Sequence, residues 1–349
     1  MEELTALLRD VSFPTLSQEQ VSVLEAPITT VCVEVALASL PTSKTPVSDG
    51  IPLELYKQFQ GTLVPRLCAL YNHAFETGVL PSSMSEALIV LIPKPGKDPL
   101  LPESYRPISL LQLDVKILAK ILALRLNKVI SSLVHPNQTG FMPNKNTAFN
   151  LRRLHMNLQA QHADVGSRVV VSLDAAKAFD SVEWTYLWEC LGRFGFGPQF
   201  IKWLQLLYQA PTARIRVNGR TSSPFSLSQG TRQGCPVSPM LYALAVEPLC
   251  IALRHHPGIA GLRCGRVTEL LSLYADDMLL YLSVAGPSLQ TALQLITQFG
   301  KFSGLQINWT KSHILPLDLG PPHRRSGGPP LSENRRHQIS GCPHYQIPL

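Results

Sequence analysis

Long apolar runs are missing from this sequence, and so are paired cysteines. No window approaches the roughly 18 uncharged apolar residues that a membrane-spanning helix needs, and the first residues carry acidic charge where a signal peptide would be apolar. The seven cysteines are scattered, odd in number and form no CxxC pair, which argues against a zinc site or a disulfide framework. We therefore expect an intracellular protein, in the cytoplasm or nucleus, that is neither secreted nor bound to a membrane.

Charged residues are also scarce, at 16% of the chain, whereas hydrophobic residues make up 45%. This balance excludes a globally disordered chain and allows a sizeable core. The length of 349 residues fits either two ordinary domains or one large catalytic core with lobes. The net charge of +7 favours a phosphate-bearing partner, although many basic proteins bind no nucleic acid.

Local patterns predict alternating helices and strands over most of the chain. A basic amphipathic helix is expected from Asp114 to Leu133, with Arg125 among the residues on its solvent-facing sides. The remaining predicted elements are strands at 169–173, 270–274 and 278–282, helices at 181–194, 198–209, 238–255 and 288–302, and a hairpin turning at Asn218-Gly219. Residues 1–40 are read as a helical lead-in.

Three aspartates stand where strands end. Asp174 closes the strand at 169–173, and Asp276 and Asp277 lie between two apolar strands. Adjacent carboxylates repel each other and are costly to bury, so a divalent cation is a natural compensation, and oxygen ligands without His or Cys favour Mg²⁺ or Mn²⁺. Taken alone, an Asp-Asp pair is more often an exposed β-turn.

Several motifs, read together, resemble one family. They are Leu91 to Lys97 (LIPKPGK), Tyr105 to Leu110 (YRPISL), Gln138 to Phe141 (QTGF), Asp174 to Asp180 (DAAKAFD), Arg232 to Pro239 (RQGCPVSP) and Tyr274 to Asp277 (YADD). In this order and at this spacing they resemble the reverse transcriptases of non-LTR, or LINE-type, retrotransposons, over roughly residues 1–317.

The resemblance implies roles in metal binding and sugar selection. Asp174, Asp276 and Asp277 would be the catalytic, metal-binding carboxylates, with Asp277 the least direct ligand and two Mg²⁺ ions as cofactors, Mn²⁺ being an alternative. Phe179 resembles the bulky residue that leaves no room for a ribose 2′-hydroxyl; simple core packing is its alternative explanation.

The resemblance also implies nucleotide-binding residues. Arg106 is similar to the arginine that binds the triphosphate, with Lys94 or Lys97 assisting. Gln233 and Gly234 would border the incoming nucleotide and template, or form an ordinary turn. Lys311 would donate a proton to pyrophosphate or act as a charge partner; a solvated lysine at a strand end is equally compatible.

The implied fold is α+β, a right-hand polymerase with an antiparallel palm sheet and packed helices. We expect the lead-in at 1–40, fingers at 41–165, palm at 166–317 and a disordered basic tail at 318–349. This chain departs from the family pattern at two places. Lys44 to Gly50 (KTPVSDG) replaces the early Gly-rich element, and no KYLG-like turn follows Lys311. We therefore expect the thumb to be missing or incomplete.

These observations lead to three hypotheses. The first is an RNA-directed DNA polymerase domain that extends a primer on an RNA or DNA template with deoxynucleoside triphosphates, as a truncated and weakly active fragment. The second is an inert retrotransposon remnant that only binds nucleic acid. The third, an RNA-copying RNA polymerase or a telomerase-like enzyme, is disfavoured by Phe179 and by the LINE-like motifs. A protein partner is not identifiable from the sequence.

Overall fold

The computed structural model describes residues 2–9, 11–44, 47, 49–159, 168–317 and 337–338. Parts of the predicted segments lie outside these residues: positions 1 and 10 of the lead-in, positions 45, 46, 48 and 160–165 of the range 41–165, positions 166 and 167 of the range 166–317, and all of the tail 318–349 except two residues. The chain is α+β, as predicted.

The helices and strands follow in chain order. The helices are α1 Glu2–Arg9, α2 Gln18–Glu25, α3 Thr30–Ser39, α4 Leu53–Gln58, α5 Gln60–Thr77, α6 Ser82–Ser85, α7 Leu113–Leu126, α8 Ile130–Leu133, α9 Thr147–Gln159, α10 Ala178–Ser181, α11 Trp184–Arg193, α12 Pro198–Leu207, α13 Ser238–His255 and α14 Ala285–Ser303. The strands are β1 Glu86–Pro93, β2 Tyr105–Leu111, β3 Val169–Leu173, β4 Ala175–Ala176, β5 Thr212–Val217, β6 Arg220–Thr221, β7 Phe225–Ser226, β8 Leu262–Cys264, β9 Val267–Glu269, β10 Leu271–Tyr274, β11 Asp277–Leu282, β12 Gln306–Ile307, β13 His313–Pro316 and β14 His337–Gln338.

These elements form two compact units, each assembled from separate stretches of the chain. The first unit comprises Met1–Phe13, Val134–Ser181 and Ala245–Leu349, and the second comprises Pro14–Leu133 and Val182–Leu244. The units therefore interleave along the sequence, whereas the ranges predicted for fingers and palm are contiguous.

The main sheet of the first unit has the strand order β10-β11-β3-β13-β14 and is antiparallel throughout. Its central strand β3 is built from β-branched valines that are buried on both faces, so a continuous apolar run suits this position. Leu173, the last residue of β3, pairs with Met278 of β11. This register places the residue after β3 beside the beginning of β11.

The sheet of the second unit has the order β2-β1-β5-β6, with β7 also paired to β5. It is mixed, because β1 runs parallel to β5 but antiparallel to β2. The predicted hairpin turn between β5 and β6 is confirmed: Asn218 and Gly219 both adopt positive φ, at 50° and 76°, the backbone that tight hairpin turns require.

The prediction of one amphipathic basic helix from Asp114 to Leu133 is wrong. Helix α7 ends at Leu126, α8 starts at Ile130, and α7 is buried on nearly all sides. Arg125 is only 7% exposed, and its guanidinium donates hydrogen bonds to the carbonyls of Leu24 (3.1 Å) and Pro27 (2.9 Å). The buried arginine satisfies one carbonyl at the end of α2 and one in the connection to α3, a partnership that helical periodicity does not reveal.

The prediction of a disordered tail is wrong at two residues, because His337–Gln338 form strand β14, which pairs with β13. The remainder of that tail stays a prediction. Within the described ranges no single helix is long and apolar enough to cross a membrane. Helices α2 and α3 reach that length and apolar composition only when taken together, and the chain bends by 88° between them.

Candidate active site

The turn between β10 and β11 carries two of the predicted aspartates. Tyr274 pairs with Asp277 across the hairpin, so Ala275 and Asp276 alone form the connection. Ala275 adopts a left-handed backbone with φ 56°, which is uncommon for a residue with a side chain and stores strain. Such a conformation persists only where the surroundings hold it, so groups next to this turn must stabilise it.

Asp174 directly follows β3 and lies beside this turn. Its backbone N–H donates to Ser312 Oγ (3.1 Å), and its carbonyl accepts from the N–H of Asn308 (2.7 Å). Its carboxylate Oδ2 is 3.5 Å from Nζ of Lys311, whose side chain is 63% exposed. The structure therefore brings Asp174, Lys311 and the two aspartates of the hairpin into one cluster.

The electrostatics of the cluster are those of crowded carboxylates. Burial raises the pKa of Asp276, and the charge of Asp174 raises it further, against a backbone hydrogen bond and Lys311, which lower it. Burial likewise raises the pKa of Asp277, followed by the charges of Asp276 and Asp174. A bound cation would relieve both effects, because it favours the ionised forms.

Carboxylate oxygens are ligands that a hard divalent cation prefers. Among the described residues, no three His, Cys, Asp or Glu side chains are gathered closely enough to hold a metal by themselves. Mg²⁺ is usually bound by one or two carboxylates, with water and substrate phosphates completing the shell. A cation at these aspartates would therefore need water or a phosphate-bearing ligand to complete its shell.

Phe179 lies in α10, five residues beyond Asp174 and in the same unit. Its ring meets that of Phe141 edge to face, with centroids 6.3 Å apart and planes at 86°. Phe141 is 52% exposed and has φ 59°. The two rings form a small aromatic surface on the chain segments that flank Asp174 and the hairpin.

The predicted triphosphate-binding residues lie in the second unit. Arg106 is on β2 opposite Ile92 of β1; it is exposed and forms no ion pair with any residue that the structure describes. Lys94 is engaged locally: its N–H donates to the Ser104 carbonyl and its Nζ to the Glu103 carbonyl, both at 2.7 Å. Arg106 is thus available to a ligand, whereas Lys94 also closes the connection between β1 and β2.

Gln233 and Gly234 are held against the same strand. The Gln233 carbonyl accepts from the N–H of Ser109 (2.8 Å). Gly234 has φ 107°, and a Cβ at this position would stand 2.5 Å from the Ser109 carbonyl oxygen. Glycine is therefore required here by the protein's own backbone, independently of any ligand.

Gln138 and Thr139 belong to the QTGF motif, and the sequence alone indicates no role for either residue. In the structure, Asn137 to Thr139 run along β10: the N–H of Leu273 donates to Asn137 and that of Thr139 to Leu273, both at 2.9 Å. The Gln138 side chain contacts the backbone of Ala275. The only sequence signal was the motif itself, since the partners lie 137 positions apart.

Known proteins resemble this chain over most of its length. The model of the reverse transcriptase (RNA-dependent DNA polymerase) family matches residues 92–326. The Xenopus laevis "Transposon TX1 uncharacterized 149 kDa protein" is 35% identical over 88% of this chain and 24% of that protein. The Pol polyprotein of retrotransposable element R2DM from Drosophila melanogaster is 30% identical over 81% of this chain and 26% of that protein.

A third relative is the "RNA-directed DNA polymerase from mobile element jockey" of Drosophila melanogaster, 27% identical over 88% of this chain and 33% of that protein. The chain thus spans about a quarter to a third of these relatives. The resemblance drawn from the motifs is confirmed. The family model covers more than half of this chain, and the relatives named above come from non-LTR retrotransposons. This chain therefore belongs to the reverse transcriptase family, as a LINE-type member.

Proposed function

We propose that this chain is the nucleotidyl-transfer region of an RNA-directed DNA polymerase, which adds deoxynucleotides to a primer 3′ end by a two-metal mechanism. The observation that carries the proposal is the cluster of Asp174, Asp276 and Asp277 in a chain of this family. The name of the jockey relative specifies the same activity. In this assignment the aspartate-bearing sheet is the palm, and the β1–β2 hairpin belongs to the fingers.

Reverse transcriptases generally use divalent metal ions. Asp174 and Asp276 are proposed as the main ligands, with Asp277 less direct and Mg²⁺ preferred to Mn²⁺ as the cation. Two such ions, held by these carboxylates, would supply activation of the attacking 3′-hydroxyl and stabilisation of the leaving pyrophosphate. The raised pKa values of Asp276 and Asp277 support this role, because a cation would compensate the repulsion that burial makes costly.

The other residues of the cluster act on the substrate. Lys311 neutralises part of the charge of Asp174 at 3.5 Å, and its exposed ammonium can reach a phosphate that enters beside that carboxylate. Phe179, partly buried and braced by Phe141, is proposed to occupy the space that a ribose 2′-hydroxyl would need. Deoxynucleotides are then selected by exclusion.

The second unit is proposed to bind the triphosphate and template. Arg106 offers a planar guanidinium, which suits bidentate contact with phosphate oxygens, and Lys94 adds a second cation. Gln233 and Gly234 would border the nucleotide from a loop already fixed against β2. The net charge of +7 supports binding of primer and template through their phosphates.

Primer extension on a homopolymer template with Mg²⁺ tests the proposal. The native chain should incorporate deoxynucleotides, and Asp276→Asn should lower incorporation by about 1,000-fold, because one ligand charge is lost. Both proteins should bind primer-template with the same salt dependence. Glu189→Gln, which alters a carboxylate paired with Arg193 on α11, is the matched control and should retain activity.

Two outcomes would contradict the proposal. Asp276→Asn could incorporate nucleotides as well as the native chain does, which would remove the carboxylates from the chemistry. Alternatively, the native chain could bind primer-template without any incorporation, which would favour an inert nucleic-acid-binding remnant.

A further inference from the structure

We infer that Gln138 is a positioning residue for the polymerase reaction: its side-chain amide holds the hairpin turn that presents Asp276. The inference rests on the proposed function, because it assigns a catalytic consequence to a contact made within the first unit. Gln138 touches neither of the aspartates' carboxylates through any hydrogen bond in the described structure, so it would act through the backbone of the turn.

The contact is a three-bond clamp made by one amide. Gln138 Oε1 accepts the backbone N–H groups of Gly140 (2.9 Å) and Ala275 (3.0 Å), while Nε2 donates to the Ala275 carbonyl (3.2 Å). Both backbone polar groups of Ala275 are therefore satisfied by a single side chain. Gln138 is 2% exposed and Ala275 is 6% exposed, so water does not compete with these bonds.

The clamp acts where the backbone is strained. Ala275 is the residue with φ 56°, and Asp276 follows it directly. A strained conformation relaxes unless its surroundings over-determine it. Gly140 adds a steric limit, since a Cβ there would overlap the backbone nitrogen of Ala275. The Gln138 amide and the Gly140 backbone thus both restrict the position of Ala275.

The chemistry of the amide explains why glutamine stands here. The site needs an acceptor for two N–H groups and, at the same time, a donor for one carbonyl. An ionised carboxylate accepts but cannot donate, an ammonium donates but cannot accept, and an apolar side chain does neither. Asparagine carries the same groups on a shorter stem and does not span the same distance.

Neighbouring residues hold the segment independently of Gln138. Thr139 donates its N–H (2.9 Å) and Oγ1 (3.2 Å) to the Leu273 carbonyl, and Asn150 donates to that carbonyl as well, at 2.7 Å. These bonds attach the segment to β10 but do not reach the turn. Anchoring of the segment and orientation of the turn can therefore be separated by mutation.

Kinetics and amide hydrogen exchange on the full chain test the inference with two variants. Gln138→Met keeps the volume of the side chain and removes all three bonds; Asn150→Ala removes only anchoring bonds and is the matched control. Misplacement of a reacting group by about 1 Å can cost about 100-fold in rate. We expect Gln138→Met to lower kcat by about 100-fold, with KM for primer-template and nucleotide changed less than about 2-fold, while Asn150→Ala keeps its kcat within about 3-fold of native.

Exchange gives a readout that does not depend on activity. In Gln138→Met the amides of Gly140 and Ala275 should exchange at least about 10-fold faster, while that of Leu273, bonded to Asn137, stays protected. Unchanged exchange of the Ala275 amide, a native kcat in Gln138→Met, or an equal loss of kcat in Asn150→Ala would each overturn the inference. If the native chain incorporates no nucleotide, the proposed function fails, and the exchange result alone decides whether the clamp exists.

Discussion

The β10–β11 hairpin of the first unit and the β1–β2 hairpin of the second unit hold their proposed functional groups in opposite ways. The turn at Ala275 and Asp276 is short, strained and held by hydrogen bonds from a segment 137 positions away. Arg106 stands on an exposed strand and forms no ion pair with the residues described. If the aspartates hold metal ions and Arg106 meets a phosphate, as proposed, this difference is expected: metal ligands need a set geometry, whereas a cation that meets an incoming phosphate gains from exposure and reach.

Both regions nevertheless depend on a glycine packed against a backbone. Gly140 leaves no room for a Cβ beside Ala275, and Gly234, at φ 107°, approaches the Ser109 carbonyl. The difference lies in what each contact supports: Gly140 borders a turn that carries an aspartate, and Gly234 fixes a loop to β2. Mutations in the two hairpins should therefore separate loss of chemistry from loss of nucleotide binding.

Among the substitutions that test this comparison of the two hairpins, the largest effect is expected from Gly140→Ala. The added methyl group would overlap the backbone of Ala275, so the turn must move, and kcat should fall by at least about 100-fold. Steady-state incorporation measures this, with circular dichroism to verify folding. Gly61→Ala is the control: it lies in α5 with open space around it, and it should stabilise the helix by about 0.5–1 kcal/mol. Native activity in Gly140→Ala would show that the turn tolerates movement.

A moderate effect is expected from Arg106→Lys. The ammonium keeps the charge but loses bidentate contact with phosphate, so KM for the nucleotide should rise about 10-fold while kcat changes little. Arg220→Lys, an exposed arginine on β6, is the matched control and should leave KM unchanged. A fall in kcat without a rise in KM would place Arg106 in the chemical step and weaken the contrast between the two hairpins.

The parts that sequence predicted well are those with local causes. The end of β3 at Leu173, the turn at Asn218-Gly219 and the termination of α14 at Gly304 follow from β-branched runs and from glycine or asparagine in left-handed backbone. The clustering of Asp174 with the hairpin followed from family motifs rather than from spacing alone.

The parts that sequence missed have partners far along the chain. Arg125 looked like a surface cation of a basic helix, but its carbonyl partners lie about 100 positions earlier. Gln138 looked like one letter of a motif, and its side chain is hydrogen-bonded to the backbone of Ala275. Side-chain bonds to distant backbone groups leave no periodic signal, so only the folded structure reveals them.

The smallest effect is expected from Asp277→Asn in the absence of divalent metal, and it concerns stability. Burial and the charges of Asp276 and Asp174 raise the pKa of Asp277. A carboxylate whose pKa is higher in the folded than in the unfolded state binds more protons when folded, so the free energy of unfolding falls as pH rises through that window. Asparagine cannot ionise, and Asp277→Asn therefore escapes this loss.

At pH 7 without metal we expect Asp277→Asn to raise Tm by about 1–3 °C, a small value because the carboxylate is partly exposed and its repulsion is screened. As the pH falls through the raised pKa of Asp277, the difference should shrink, since the native carboxylate then takes up a proton. Added Mg²⁺ should raise the Tm of the native chain more than that of the variant. Differential scanning calorimetry measures the Tm of both proteins at pH 7, at low pH and with Mg²⁺. The control is Asp98→Asn, which replaces an exposed aspartate in the second unit. A lower Tm for Asp277→Asn than for the native chain at pH 7 would contradict this prediction. It would mean that hydrogen bonds of the Asp277 carboxylate stabilise the fold more than charge repulsion destabilises it. The β10–β11 hairpin would then not be a region of electrostatic strain.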